Sequence, residues 1–150
     1  MTWNTITIND FEKVAQEIVQ IISERYQQQG MDNACVVCLE GDLGAGKTTL
    51  TQIIAKQLGV TETVQSPTFV IKKTYKTNSP LFKNLVHMDA YRLENDPTVH
   101  TLRLDEDFKS PETLMMIEWS SMITSIIPDG AISISIKHEK EGRTLQLSFH

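Results

Sequence analysis

The chain has 150 residues, 40% of them apolar and 22% charged, which suits a single folded core and excludes wholesale disorder. Fourteen Lys and Arg against nineteen Asp and Glu give a net charge of −5, the opposite of what a chain needs to hold nucleic acid by itself through its phosphates. No apolar run approaches the ~20 residues that cross a bilayer. MTWNTITINDFEKV at the N-terminus has neither a basic start nor an apolar stretch, so no secretory signal is expected; no lipidation box is expected at the C-terminus, and the expected compartment is the cytoplasm.

Trp3 to Ile8 alternates, with Ile6 and Ile8 on one side, and predicts a short strand. Asn9 followed by Glu12 fits a capping box, after which Phe11, Val14, Ala15, Ile18, Ile21 and Ile22 keep helical spacing and Gly30 suits the exit. Ala34 to Leu39 is a continuous apolar run, the pattern of a strand buried on both faces. It holds the only two cysteines, Cys35 and Cys38. Their C-x-x-C spacing invites a redox or metal reading, but residues three apart in a strand point to opposite faces, so two separate buried thiols are expected. The turn GDLGAGKTTL follows at 41–50, then a helix with Leu50, Ile53, Ile54 and Leu58 on one stripe, ending at Gly59. SPTF at 66–69 leads into the basic strand VIKKTY at 70–75, and Asn78-Ser79-Pro80 marks a turn. Leu85 to Met88 is a second apolar strand ending in Asp89, and Asp96-Pro97 reads as the start of a short helix. Beyond a segment at Leu104 to Phe108, Leu114 to Ile117 is a third apolar strand, ending in Glu118-Trp119. Ser121 to Ile127 is a brief helix stopped by Pro128. Ile132, Ile134 and Ile136 alternate, HEKEGR turns the chain, and Leu145, Leu147 and Phe149 alternate back as a hairpin. The sum is an α/β fold, a mixed sheet with parallel central strands and antiparallel additions, in one domain over 1–150.

Gly41-Asp42-Leu43-Gly44-Ala45-Gly46-Lys47-Thr48 satisfies G-x-x-x-x-G-K-[ST] at every fixed position. A triphosphate needs several donors converging on a small volume, which only closely packed backbone N–H groups supply. Gly41, Gly44 and Gly46 let the chain take positive φ and approach the oxygens without a Cβ in the way. The helix opening at Lys47 turns its free N–H groups and positive end toward the same point. Lys47 adds a point charge toward the β and γ phosphates, and the Thr48 hydroxyl is a hard oxygen ligand for Mg2+. The position of the loop between a buried strand and an amphipathic helix separates it from a chance glycine turn.

Such a site needs an acid at the C-terminal end of a neighbouring strand, and Asp89 and Glu118 both stand there. Either could hold the metal or take a proton from attacking water, or serve as a turn or cap carboxylate. His87, in phase with Asp89, reads as a satisfied buried imidazole, and Trp119 as core or as a flank of the nucleotide. Lys72, Lys73, Lys76 and Lys83 form the densest basic cluster, a solvated strand edge or a partner or RNA contact.

GDLGAGKTTL at 41–50, SPTF at 66–69, HMDAYRL at 87–93, LDEDF at 104–108 and IEWS at 117–120, in this order and spacing, resemble the bacterial TsaE (YjeE) family. The resemblance implies a P-loop NTPase-like three-layer sandwich and an ATP- and Mg2+-dependent hydrolase. It implies action with TsaB and TsaD in making threonylcarbamoyladenosine at position 37 of tRNAs that read ANN codons, with hydrolysis resetting the complex and tRNA met only through it. By matching positions it implies ATP contacts at Asp42, Gly44, Ala45, Gly46, Lys47, Thr48, Thr49, Asp89 and Arg143, and, on a looser match, at Asp10. It gives catalytic roles to Lys47, Asp89 and Glu118, the metal to Thr48 and Glu118 with Asp89 beside it, and a γ-phosphate-sensing switch to Ser66, Pro67 and Thr68. This chain departs from the family pattern at Arg103, where the family often has Gly, at Asp107 in place of Tyr, and at Ser120 in place of Pro or Ala.

A small-molecule kinase shares the cradle but needs an acceptor pocket and usually an arginine-bearing lid, and residues 92–112 offer only Arg92 and Arg103. A GTP switch normally carries [NT]-K-x-D, which is absent from this chain. The remaining alternative is a docking module gated by nucleotide without required hydrolysis.

Overall fold

Apolar runs at 35–40, 84–89 and 113–118 form strands whose two faces are both covered, and these build the middle of the sheet. The computed structural model describes residues 1–67, 71–93 and 102–150. Its elements are β1 (Thr2–Thr5), α1 (Ile8–Gln28), β2 (Cys35–Glu40), α2 (Lys47–Gln57), β3 (Lys72–Lys76), β4 (Asn84–Asp89), α3 (Leu104–Phe108), β5 (Thr113–Glu118), a 3-10 helix (Ser120–Ile126), β6 (Ile132–His138) and β7 (Arg143–Phe149). The described strands make one sheet in the order β1-β7-β6-β2-β5-β4-β3. Pairs β2–β5, β2–β6 and β4–β5 are parallel, whereas β3–β4, β6–β7 and β1–β7 are antiparallel. The mixed sheet is therefore the one the residues predict, with the basic strand β3 at its edge.

Side-chain alternation divides the core in two. Phe11, Ile18, Leu50 and Ile54 of α1 and α2 pack with Val37, Leu39 and Met116 on one face of the sheet. Leu104 of α3 and Ile123 of the 3-10 helix pack with Cys38, Met115 and Ile117 on the other, completing three layers. Cys35 belongs to the first cluster and Cys38 to the second, so the thiols lie on opposite faces as expected and both are free. Burial pushes the Cys35 thiol up to about 12 and raises that of Cys38, which leaves neither ready to act as a thiolate at neutral pH. Among the described residues no helix is long and apolar enough to cross a membrane.

The structure corrects the N-terminal reading. β1 stops at Thr5 and α1 begins at Ile8, so Ile6 and Ile8 are exposed instead of lining a strand face. The capping box is Thr7 with Asp10, not Asn9 with Glu12. The Asp10 N–H donates to Thr7 Oγ1 at 3.1 Å, and the Thr7 N–H donates back to Asp10 Oδ2 at 2.9 Å. Two reciprocal bonds that satisfy orphan helix donors outweigh a short apolar alternation. The segment Ser121 to Ile127 forms 3-10 turns over Ser120–Ile126, and the expected helix at Asp96-Pro97 lies outside the described residues.

Gly142, in the β6–β7 turn, has φ +90°, and a Cβ there would come within 1.8 Å of the Thr5 carbonyl oxygen of β1. Gly142→Ala is expected to destabilise the protein by roughly 3 kcal/mol, read from the urea midpoint at unchanged slope, because relief requires parting β1 from β7.

Candidate nucleotide-binding site

The glycine loop joins β2 to α2 at the C-terminal end of the parallel strands. Gly41, Gly44 and Gly46 take φ of 150°, 78° and 117°, so the chain uses the backbone freedom that the sequence offered. Gly41 is closely hemmed: a Cβ would lie 2.4 Å from the Ile136 carbonyl oxygen. At Gly44 a Cβ would meet nothing within 4 Å, so this glycine bares backbone to open space. Gly46 is the N-cap of α2 and brings no side chain to cap it, leaving the positive end of that helix facing the loop.

Lys47 is only 4% exposed. Its Nζ donates to the carbonyls of Gly41 at 2.6 Å and Asp42 at 2.9 Å, and lies 4.5 Å from the centre of the Trp119 ring. The ammonium is thus held by the loop's own oxygens and covered by an aromatic face, an arrangement that keeps a buried cation solvated. Trp119 takes a left-handed conformation at φ 56° and donates its backbone N–H to Leu39 at 3.2 Å, while Tyr91 meets its ring edge-on at 5.0 Å. Of the two readings of Trp119, the flank of the site is the one the structure supports.

Strand register brings the acids together. In the parallel pairing of β4 with β5, Asp89 lies opposite Glu118, and Glu118 also lies opposite Leu39 of β2, two residues before Gly41 opens the loop. Glu118 is 4% exposed, and its Oε1 accepts from Thr48 Oγ1 at 2.7 Å across 70 residues of chain. Asp89 is half-buried, and its Oδ1 accepts the Tyr91 N–H at 3.0 Å. Among the described residues no group of three or more His, Cys, Asp or Glu stands ready to enclose a metal. The donor set suits Mg2+, which takes one or two protein oxygens and completes its shell with phosphate and water. The 2.7 Å between Thr48 Oγ1 and Glu118 Oε1 is close to the edge of a Mg2+ octahedron, about 2.9 Å.

These groups border a cleft of about 430 Å3 whose lining includes Gly44, Gly46, Lys47, Thr48, Thr49, Ser66, Asp89, Glu118 and Trp119. Tyr91 and Arg92 line it too; both fall within the HMDAYRL segment, and the sequence offers Arg92 only as a lid arginine for the kinase alternative and Tyr91 not at all. Within the loop Ala45 is buried and Asp42 contributes its carbonyl to Lys47; Pro67 is buried next to Ser66 in sequence, while Thr68 lies outside the described residues. Arg143 does not line the cleft. It packs against Gly46, where a Cβ would meet its Nε at 3.2 Å, and its guanidinium lies over the Phe11 ring at 5.7 Å. Asp10 does not line the cleft either; its carboxylate is engaged in the helix cap, led by the Thr7 N–H, which lowers its pKa.

A profile of the family described as threonylcarbamoyl adenosine biosynthesis protein TsaE matches residues 7–145. The chain belongs to the TsaE family. It is 44% identical over 103 residues to tRNA threonylcarbamoyladenosine biosynthesis protein TsaE of Bacillus subtilis, an alignment covering 68% of this chain and 61% of that protein. The Haemophilus influenzae protein of the same name is 32% identical over 116 residues, 77% of this chain and 71% of the relative. The fold is similar to the crystal structure of Bacillus subtilis YdiB, with a TM-score of 0.71 and 30% identity over 98% of this chain and 83% of that one.

The three departures from the TsaE pattern each have a place in the structure. Arg103 takes a left-handed conformation at φ 55°, which explains why glycine suits that position. Asp107 accepts from Lys72 Nζ at 2.6 Å, and the same ammonium reaches the Leu102 carbonyl, tying α3 to β3. The Ser120 hydroxyl donates to Glu40, whose Oε1 also accepts the Ser121 N–H at 3.1 Å, so β2 anchors the turn that follows Trp119.

Proposed function

We propose that this protein is a Mg2+-dependent ATPase of the cytoplasm that acts with TsaB and TsaD homologues in threonylcarbamoylation of adenosine 37 in tRNAs reading ANN codons. The observation that carries the reading is the Thr48–Glu118 contact at the mouth of a glycine loop with a buried lysine. The names of the relatives support the pathway. Bound Mg2+ would supply neutralising charge at the β and γ phosphate oxygens. Loop N–H groups and the α2 N-terminus bind and orient the phosphates, and Lys47 balances the charge that spreads over the γ-phosphoryl as water attacks in line. Glu118 and Thr48 would hold the cation, Asp89 stands where it could orient the attacking water or take its proton, and Trp119 shields Lys47 from solvent. A site assembled on one small domain with an open cleft is expected to turn over slowly alone and faster once a partner completes it.

The test is repeated tRNA modification by the reconstituted proteins with ATP or a non-hydrolysable analogue. We expect multiple turnovers only with ATP, together with release of phosphate and no phosphorylated acceptor. Equal cycling with both nucleotides leaves only nucleotide-gated docking, and a phosphorylated small molecule identifies a kinase instead.

A further inference from the structure

His87 lies in the middle of β4 with 0% exposure, on the face of the sheet that it shares with Leu85 and Asp89. The register of β4 with β5 sets His87 opposite Met116 and Asp89 opposite Glu118, so the imidazole is one diagonal step from Glu118. Its Nε2 is 2.8 Å from Glu118 Oε1, the oxygen that also accepts from Thr48 Oγ1 at 2.7 Å. Nδ1 is buried and has no partner among the described residues. A carboxylate that holds a cation is ionised and can only accept, so in that role Glu118 takes its hydrogen bond from an Nε2–H, whereas a proton on Nδ1 would be a buried donor without an acceptor among the described residues.

An apolar residue would fill this position at lower desolvation cost, as Leu85 and Met116 do beside it. We infer that His87 is a positioning residue whose Nε2–H fixes the Glu118 carboxylate against Thr48 and so sets the affinity of the site for its divalent cation. The inference rests on the nucleotide-site reading above. One carboxylate oxygen is gripped from two sides, by a strand residue and by the first turn of α2. Rotation of the Glu118 side chain would break both bonds at once. Without the imidazole, the buried carboxylate keeps a single donor among the described residues, Thr48 Oγ1, and its direction is no longer determined. Partners of this kind hold ligating side chains in place at metal sites generally, and losing them weakens the ion without removing a ligand.

The experiment is calorimetric binding of a non-hydrolysable ATP analogue, with Mg2+ or with EDTA, to the wild-type protein, His87→Leu and His87→Gln, each checked for folding by circular dichroism. Wild type is expected to bind more tightly with Mg2+. His87→Leu is expected to lose about 10–100-fold of that Mg2+-dependent gain at unchanged affinity in EDTA. His87→Gln, which keeps an N–H donor, is expected to recover much of it. A folded His87→Leu with wild-type Mg2+ dependence overturns the inference, as does an equal loss in His87→Gln or a wild-type affinity indifferent to Mg2+. A wild-type protein that binds no analogue under either condition removes the nucleotide reading itself. Should His87→Leu fail to fold, 15N spectra of the wild-type imidazole decide: an Nε2–H, bare-Nδ1 ring whose Nε2 signal moves with Mg2+ and analogue supports the inference, and an Nδ1–H ring or an unmoved signal overturns it.

Discussion

Lys47→Ala is expected to lower ATP turnover by about 10²–10³-fold while the protein stays folded. The size follows from where the charge sits. With 4% exposure and an aromatic ring 4.5 Å from Nζ, the ammonium acts where water screens it little. Phosphoryl transfer asks the protein mainly for position and charge, so removing the one fixed cation in the loop removes a large share of what the site can do. Lys47→Arg is expected to rescue poorly, since a planar five-donor fork is a poor substitute for a point charge held between the Gly41 and Asp42 carbonyls. Steady-state phosphate release, with circular dichroism as the control for folding, checks both variants. Wild-type turnover in Lys47→Ala would falsify the assignment of this lysine to the γ-phosphate.

The second large effect is at Glu118. Glu118→Gln keeps the shape of the side chain and an oxygen that can accept from Thr48, but removes the charge. Turnover is expected to fall about 10²-fold or more, and the Mg2+ concentration needed for half-maximal rate to rise. Thermal stability is expected to be held or slightly raised, because a carboxylate with 4% exposure costs desolvation that an amide does not. Opposite movements of activity and stability distinguish a site carboxylate from one retained for the fold. A Mg2+ titration of single-turnover hydrolysis, run beside a melting curve, reads both; an unaltered Mg2+ requirement would mean that Glu118 does not hold the ion.

The glycine loop was legible because its chemistry is local. Eight consecutive residues specify the positive-φ turns, the start of α2 and the lysine, and the structure shows each of them. The three apolar runs were legible for a similar reason, since burial on both faces leaves no alternation to misread. Errors came where local signals compete. Ile6 and Ile8 imitate a strand, yet the Thr7–Asp10 bonds start a helix there, and both patterns fit the same few residues. His87 looked like an ordinary core imidazole because its partner lies 31 residues away on another strand. Tyr91 gave no physical signal beyond membership in a motif, and Arg92 signalled only a kinase-type lid.

By itself the sequence determined a glycine loop between a buried strand and a helix, two acids at strand ends and two cysteines on opposite faces, because each depends on chain periodicity or on contiguous residues. Only the tertiary structure decided that Glu118 meets Thr48, that His87 contacts the same carboxylate oxygen, that Trp119 covers Lys47, and that Arg143 packs against Gly46 without lining the cleft. These are matters of strand order and register. A shift of one residue between β4 and β5 would turn His87 away from Glu118, and nothing in the local preferences of either strand would record the change.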